Sequence, residues 1–97
     1  MNALSKDQVI SQLALHLKDW IFKEPAIKRD FKFETFVEAF SFITSIALQA
    51  EKYDHHPDWS NGYNKVSIEL TTHSANGITQ KDFDLAKIID RLYKKYE

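Results

Sequence analysis

Hydrophobic residues near the start of the chain recur at helical spacing, at Val9, Ile10, Leu13 and Leu17. Ser5-x-x-Gln8 precedes most of this run and has the form of a capping box, in which two side chains bond free backbone N–H groups at a helix start. The pattern therefore predicts a first helix from about Lys6 to Lys18. His16 lies off the apolar stripe, and we expect it at the surface.

The next segment changes from helical spacing to strict alternation. One face carries Ile27, Arg29, Phe31 and Phe33, and the other carries Lys28, Asp30 and Lys32. The short apolar run Trp20–Phe22 precedes it, and the turn residues Glu24-Pro25-Ala26 separate the two segments. We therefore predict a β-hairpin in which the second strand has one buried and one solvated face.

Arg29 is unusual because it lies on the apolar face of that strand. One interpretation is that its aliphatic stem packs on neighbouring side chains while the guanidinium reaches the sheet rim or a carboxylate. The alternative is a direct contact between the guanidinium and a substrate.

The longest predicted helix runs from Phe36 to about Tyr53, behind a second capping box at Thr35-x-x-Glu38. At about 100° per residue, one wide arc contains Phe36, Ala39, Phe40, Phe42, Ile43, Ile46, Ala47, Ala50 and Tyr53. Val37 and Leu48 lie outside that arc. An apolar arc wider than one sheet can cover predicts a second contact, so we expect this helix to bury a subunit interface as well. The alternative is a wide core helix in a monomer.

A second hairpin is predicted after the long helix. Asn61-Gly62 is a dipeptide typical of tight turns, and the following strand, Tyr63 to Thr72, alternates through Val66, Ile68 and Leu70. The segment His73–Gly77 is predicted to be a loop. Thr79-x-x-Asp82 then begins a last helix, whose apolar residues are Phe83, Leu85, Ala86, Ile88, Ile89, Leu92, Tyr93 and Tyr96.

The predicted element order is helix, hairpin, helix, hairpin, helix. Two hairpins with solvated outer faces and three amphipathic helices are typical of an α+β fold. We therefore predict a two-layer sandwich in which three helices cover one face of a four-stranded antiparallel sheet. At 97 residues the chain is long enough for one core, so residues 1–97 are expected to form a single domain.

The charge balance limits the possible partners. Thirteen basic and fourteen acidic residues leave a formal charge of −1, so no global basic field exists to hold nucleic acid phosphates. The absence of cysteine excludes disulfides, thiolate metal sites and thiol nucleophiles. No stretch has the pattern of a signal peptide or the length of a membrane span, and we expect a cytoplasmic protein without membrane contact.

The candidate chemistry lies in one segment that holds three of the four histidines. Pro57 biases His56 toward an extended backbone, so the long helix is expected to end just before it. In an extended backbone the side chains of His55 and His56 point in opposite directions. His73 is out of phase with the preceding strand, so it faces the same pocket only if the strand end twists or the loop turns back. Histidines flanked by carboxylates suit acid–base chemistry near neutral pH.

Two acids in this segment have competing interpretations. Glu51 lies in the last turn of the long helix, where the helix dipole disfavours a carboxylate. It either has a functional task or is an exposed acid with a screened charge. Asp82 falls within the apolar arc of the last helix, so it either points at the sheet or serves as the capping partner of Thr79.

Two other site types fit the sequence less well. Three histidines with Glu51 or Asp82 could complete a zinc site. However, adjacent histidines rarely chelate one ion, and no second histidine stands at i, i+4 spacing on a helix. No serine lies in a nucleophile-elbow context, which disfavours a serine triad.

The segment resembles the active-site motif of the pterin-4a-carbinolamine dehydratase family, also called 4a-hydroxytetrahydrobiopterin dehydratases. The motif is acid-x3-His-His-Pro-x5-aromatic-x9-His-x8-Asp, and its positions are occupied by Glu51, His55, His56, Pro57, Tyr63, His73 and Asp82. Further similar segments are Ile27-x-Arg29-x-Phe31-x-Phe33, Trp59, Tyr63-Asn-Lys-Val66 and Leu70-Thr-Thr-His73. The resemblance covers nearly the whole chain.

The resemblance implies a dehydratase that removes water from a 4a-hydroxytetrahydropterin to give quinonoid dihydropterin, without a metal or an organic cofactor. A base must take a proton from a ring nitrogen while an acid protonates the departing hydroxyl, and two imidazoles in different protonation states can do both. The resemblance assigns this work to His55, His56 and His73. We expect His56 to be the main acid or base.

The resemblance also implies supporting residues and partners. Asp82 is expected to orient a histidine, and Glu51 to raise the basicity of the histidine pair. Glu51, Pro57, Trp59 and Tyr63 are expected to contact substrate. Relatives form homodimers or homotetramers through the sheet edge and the long helix, and a functional link to an aromatic amino-acid hydroxylase is implied. The alternative function is a non-catalytic pterin-binding or dimerisation-cofactor module for a protein partner.

Overall fold

The computed structural model describes residues 2–97, which form seven main elements. Their bounds are α1 Lys6–His16, β1 Ile21–Lys23, β2 Ala26–Lys32, α2 Phe36–Tyr53, β3 Asp58–Gly62, β4 Lys65–Leu70 and α3 Gln80–Tyr93. Two short 3-10 helices follow β4 and α3, at His73–Ala75 and Lys94–Tyr96. In residues 2–97, no helix combines the length and hydrophobicity needed to cross a bilayer.

The strands form one antiparallel sheet in the order β1-β2-β4-β3. In the central pair, Ile27 lies opposite Leu70 and Phe31 lies opposite Val66, and all four side chains are buried. The three helices cover that face, while the other face is solvated. The predicted element order and the two-layer α+β sandwich are confirmed.

The helices begin where their capping residues predict. Ser5 and Gln8 exchange side-chain and backbone hydrogen bonds at the start of α1. At α2, the Thr35 hydroxyl accepts from the Glu38 N–H as expected, but the Glu38 carboxylate accepts from Glu34, one residue before the cap. The first helix ends two residues earlier than predicted.

An aromatic cluster fills the space between β2, α2 and the end of α3. The ring centroids of Phe31 and Phe42 are 5.0 Å apart, and those of Phe33 and Phe42 are 5.1 Å apart. Tyr93 packs on both strand residues with its ring nearly perpendicular to theirs. These edge contacts are favoured by the ring quadrupoles and fix α3 against the sheet.

The apolar residues of α2 divide into a buried group and an exposed group. The buried part packs on the sheet and α3 and consists of Ala39, Phe42, Ile43, Ile46 and Ala50. The remaining apolar residues of the helix are exposed, and five of them, which we call the α2 stripe, are Phe36, Val37, Phe40, Ala47 and Leu48. The chain by itself therefore leaves the α2 stripe uncovered.

Arg29 satisfies its charge inside the fold. Its guanidinium donates to Asp90 at 2.6 Å, lies 3.6 Å from Asp19, and sits 4.6 Å from the centroid of the Phe31 ring. Trp20 donates its indole N–H to the same Asp90 oxygen at 2.9 Å. Burial raises the pKa of Asp90 above its ordinary value, although the hydrogen bonds from Trp20 and Arg29 oppose that shift. The prediction that Arg29 reaches a carboxylate is confirmed.

The turn of the second hairpin lies two residues later than the sequence predicts. Asn61 and Gly62 belong to β3, and the turn consists of Tyr63, with φ 50°, and Asn64. The strand predicted from 63 to 72 is correspondingly shorter, because β4 spans Lys65–Leu70.

Side-chain and backbone contacts explain why the chain turns there. Asn64 exchanges two hydrogen bonds with Phe33, of 2.8 and 2.9 Å, and so extends the pairing of β2 with β4 by one residue. The Asn61 amide donates to the carbonyls of Tyr63 and Lys65, which caps the turn. Long-range pairing with β2 therefore outweighs the local turn preference of Asn61-Gly62.

Candidate active site

The end of α2 is a reversed turn that fixes the backbone of the first site histidine. Asp54 adopts the left-handed conformation, with φ 51° and ψ 44°. The His55 N–H donates to Ala50 at 3.0 Å, and the Asp54 N–H donates to Glu51 at 3.3 Å. These bonds are those of a Schellman motif, which ends a helix and turns the chain back across it.

His55 and Asp82 form a buried pair. His55 Nε2 lies 2.7 Å from Asp82 Oδ1, and the two side chains are 11% and 0% exposed. Asp82 lies in the first turn of α3, so this contact joins the end of α2 to the start of α3. A buried carboxylate requires hydrogen-bond donors, and the imidazole supplies one of them.

The second oxygen of Asp82 is held by two threonines. Oδ2 accepts from the Thr72 hydroxyl at 2.8 Å and from the Thr79 backbone N–H at 2.9 Å. The hydroxyls of Thr72 and Thr79 lie 2.8 Å apart. Asp82 caps α3, as one interpretation from the sequence required, and its side chain is also fully buried, as expected if it points inward instead of at water.

His56 and Glu51 form an exposed pair of nearly the same length. His56 Nε2 lies 2.8 Å from Glu51 Oε1, but the side chains are 57% and 80% exposed. Adjacent histidines thus bond to different acids, as expected for consecutive residues of an extended backbone. Solvent weakens the attraction in this exposed pair.

His73 begins the 3-10 helix that follows β4, and its side chain is exposed. It directly follows Thr72, whose hydroxyl contacts Asp82. Backbone hydrogen bonds between Thr72 and Gly77 close the loop after His73. The loop turns back, but within residues 2–97 no hydrogen bond joins the His73 side chain to His55 or His56.

The two remaining motif positions, Pro57 and Tyr63, flank β3, and Trp59 lies within the strand. Pro57 is half-buried immediately before the strand, and α2 ends ahead of it as predicted. Trp59 pairs with Ile68 at the edge of the sheet and is partly exposed. Tyr63 is an exposed turn residue at the far end of the strand, roughly 20 Å of extended chain from Pro57. Within residues 2–97, no hydrogen bond joins the Tyr63 side chain to a site histidine.

A groove lies beside the buried pair, between the end of α2 and α3. Its volume is about 310 Å³, and its lining residues are Tyr53, His55, Lys81, Asp84, Leu85 and Ile88. This volume is at the lower end of the range of small-molecule pockets. His55 is thus at once bonded to a buried acid and exposed to a space that a small ligand could enter.

Within residues 2–97, no three histidine, aspartate or glutamate side chains converge as ligands of one ion. The histidines are instead distributed between two different acids.

Thr72 is a site residue that the sequence analysis did not single out. It continues the inward-facing register of Ile68 and Leu70, so its hydroxyl had to be buried and to find a partner. The alternating register of the strand was the sequence signal that could have identified Thr72. It predicts that the threonine hydroxyl is buried, but it does not identify Asp82 as the hydrogen-bond partner of that hydroxyl.

The chain is similar in sequence and fold to proteins of one known family. Residues 2–92 match the sequence model of the family described as pterin 4 alpha carbinolamine dehydratase. A curated protein of Prochlorococcus marinus (strain NATL2A), named "Putative pterin-4-alpha-carbinolamine dehydratase", is 58% identical over 73 residues, covering 75% of this chain and 77% of its own.

Two solved structures are also similar. A protein of Brucella melitensis, described as a transcriptional coactivator/pterin dehydratase, has a TM-score of 0.87 and 40% identity, covering 94% of this chain and 98% of its own. A pterin dehydratase-like protein, described as a RuBisCO assembly factor in the alpha-carboxysome, has a TM-score of 0.64 and 22% identity, covering 75% of this chain and 84% of its own. The second likeness concerns the fold alone. From the family match and the identity to these relatives, we conclude that the chain belongs to the pterin-4a-carbinolamine dehydratase family.

Proposed function

We propose that the protein removes water from 4a-hydroxytetrahydropterin and releases quinonoid dihydropterin. In this reaction a base takes the proton from ring nitrogen N5, and an acid protonates the hydroxyl on carbon C4a. The carbon–oxygen bond breaks, a carbon–nitrogen double bond forms, and one water leaves. The net reaction consumes no proton, so histidines in different protonation states suffice.

The observation that carries the proposal is the unequal environment of the two adjacent histidines. His55 is bonded to a buried acid, whereas His56 is bonded to an exposed one. The bond to buried Asp82 fixes the His55 ring, whereas the exposed His56 ring can turn toward a ligand. Family membership supplies the substrate class.

The proposed roles follow the family motif. His56 is the main acid or base, because its exposed ring can meet a ligand, and His55 and His73 bind substrate or share the proton transfer. Asp82 orients His55, and Glu51 supports His56. Substrate contacts are assigned to Glu51, Pro57, Trp59 and Tyr63, and no metal or organic cofactor takes part.

The reaction has a defined place in a reaction sequence. A 4a-hydroxytetrahydropterin is the product of aromatic amino-acid hydroxylation, and quinonoid dihydropterin is a substrate for reduction. The proposed role is therefore the recycling of tetrahydropterin between a hydroxylase and a reductase, in the cytoplasm.

The test is the decay of enzymatically generated 4a-hydroxytetrahydropterin, followed by its ultraviolet absorbance. The purified protein should accelerate the decay, and His56→Ala, shown to be folded by circular dichroism, should lose most of that acceleration. His16→Ala removes an exposed histidine of α1 and is the matched control, which should retain the full rate.

Two outcomes would contradict the proposal. Unchanged turnover by His56→Ala would reject its main role, and no acceleration by the unmodified protein would reject the activity. A chelator should leave the rate intact, and inhibition that added zinc reverses would replace this mechanism with a metal-dependent one.

A binding role is the second candidate, and the α2 stripe supports it. Phe36, Val37, Phe40 and Leu48 are 48%, 72%, 56% and 67% exposed, respectively. Large exposed apolar surfaces on a helix mark interaction sites. We propose that a second copy of the chain covers this surface in a homodimer or homotetramer, since an isologous interface buries the same patch on both subunits.

Sedimentation velocity tests this assembly. Leu48→Glu should shift the protein toward monomer, whereas Leu15→Glu on α1, where the leucine is equally exposed at 67%, should not. A monomeric unmodified protein would contradict self-association. It would then favour a foreign protein partner, in line with the coactivator description of the Brucella relative.

A further inference from the structure

We propose that Thr72 is a positioning residue for the dehydration. Its hydroxyl holds the Asp82 carboxylate in the orientation that keeps a proton on His55 Nε2 and leaves Nδ1 as the free ring nitrogen. The consequence for rate rests on the proposed function. The consequence for the His55 ring can be measured without substrate.

The direction of the hydrogen bonds around Thr72 follows from proton counting. Thr72 Oγ1 lies 2.8 Å from Asp82 Oδ2 and 2.8 Å from Thr79 Oγ1. A hydroxyl has one proton to donate, and an ionised carboxylate only accepts. Thr72 therefore donates to Asp82, and Thr79 donates to Thr72. The chain of donors runs from Thr79 through Thr72 to Asp82.

This chain fixes how the carboxylate faces the histidine. Asp82 Oδ2 accepts from the Thr72 hydroxyl and from the Thr79 N–H, so that oxygen cannot rotate away without losing both bonds. Oδ1 is then directed at His55 Nε2, 2.7 Å away. A carboxylate in contact with Nε2 requires a proton on that nitrogen, which makes Nδ1 the acceptor in the neutral ring.

The backbone of Thr72 is held as firmly as its side chain. Its N–H donates to the Gly77 carbonyl at 2.9 Å, and the side chain is 4% exposed. A Cβ added at Gly77 would lie 2.8 Å from the Cβ of Ala3, so only glycine fits against the N-terminal segment. The threonine hydroxyl is therefore presented to Asp82 from a closed loop.

The experiment compares the His55 ring in three variants by nitrogen-15 NMR, which distinguishes the two neutral tautomers by their ring nitrogen shifts. Thr72→Val keeps the shape of the side chain and removes the hydroxyl. Thr72→Ser restores the hydroxyl. Thr71→Val is the matched control, because the neighbouring Thr71 hydroxyl bonds to the Pro25 carbonyl instead of to Asp82.

In the unmodified protein the neutral His55 ring should carry its proton on Nε2. Thr72→Val should move a measurable fraction of the ring to the Nδ1–H tautomer and lower kcat about ten- to a hundredfold, by analogy with the loss of a group that orients a metal-bound histidine. KM should change little, because Thr72 does not contact substrate. Serine should restore the tautomer and most of kcat, and Thr71→Val should keep both.

Two results would overturn the inference. One is an unmodified protein whose neutral His55 ring carries the proton on Nδ1, and this measurement does not depend on whether any variant folds. The other is a folded Thr72→Val protein with an unchanged His55 tautomer. If the unmodified protein lacks dehydratase activity, the proposed function fails, while the NMR comparison still decides the role of Thr72.

Discussion

The buried pair and the exposed pair have the same chemistry and almost the same length, but they lie in different surroundings. His55 and Asp82 are 2.7 Å apart with almost no solvent contact, and His56 and Glu51 are 2.8 Å apart in open solvent. The two pairs therefore differ in burial and in the additional hydrogen-bond donors to Asp82, and not in distance.

The difference in burial gives the two histidines different freedom to move. A buried ring whose acid is held by two further donors has a defined orientation and tautomer. The exposed His56 ring can reorient and meet a ligand, because its surface pair with Glu51 contributes little energy. One histidine is thus positioned by the fold, and the next remains free to move.

Asp82→Asn should have the largest effect on this comparison. The oxygen of the amide is expected to remain with the Thr72 and Thr79 donors, which turns the amide NH2 toward His55 and forces the proton onto Nδ1. A wrong tautomer of this kind costs about a hundredfold or more in kcat. Stability should fall by about 1–3 kcal/mol, because the network loses a bond to a charged group. Kinetics and urea denaturation measure the two effects.

If Asp82→Asn left both kcat and stability unchanged, the buried pair would contribute no more to activity or stability than the exposed pair does. The NMR tautomer of His55 in this variant provides an independent check, because it changes only if the amide reverses the hydrogen bond.

Glu51→Gln should have a much smaller effect. Glutamine keeps an acceptor for His56 but removes the charge, and the pair is mostly exposed. Stability should change by less than about 0.5 kcal/mol, and kcat only a few-fold. A loss of stability as large as that of Asp82→Asn would mean that solvent does not weaken this pair. Urea denaturation of both variants under the same conditions makes the comparison.

Asp90 is a third acid, of intermediate burial. The change that it causes in the pH dependence of stability should be the smallest of the three effects. Because burial raises its pKa above the ordinary 3.8, the folded protein binds a proton more readily than the unfolded chain. Its contribution to stability is therefore present below pH 3.8 and is lost as the pH rises through the folded pKa. The free energy of unfolding should decrease over this pH range relative to Asp90→Asn.

Urea denaturation of both proteins at a series of pH values tests this sign. An opposite trend would show that the hydrogen bonds from Trp20 and Arg29 outweigh the burial of Asp90.

Most of the fold was predictable because its determinants are local. The bounds of α2 agree with the prediction at both ends, since Thr35 caps its start and the Schellman turn at Asp54 ends it ahead of Pro57. The exception is the second hairpin. Its turn is set by the contact of Asn64 with Phe33, two residues far apart in sequence, which a local pattern cannot report.

The site was predictable in composition but not in arrangement. The motif named both acids and all three histidines of the segment. It did not show that His55 takes Asp82 and His56 takes Glu51. It also left out Thr72, because the inward-facing register of that residue predicts a buried hydroxyl without identifying Asp82 as its partner.

The sequence by itself determined the elements, the fold class and the set of side chains available for proton transfer, because these depend on periodicity, capping and residue type along the chain. Only the tertiary structure decided which acid each histidine meets and which pair is shielded from water. The physical reason is that burial and hydrogen-bond partners arise where α2, β4 and α3 converge. No single segment of the chain contains that meeting point.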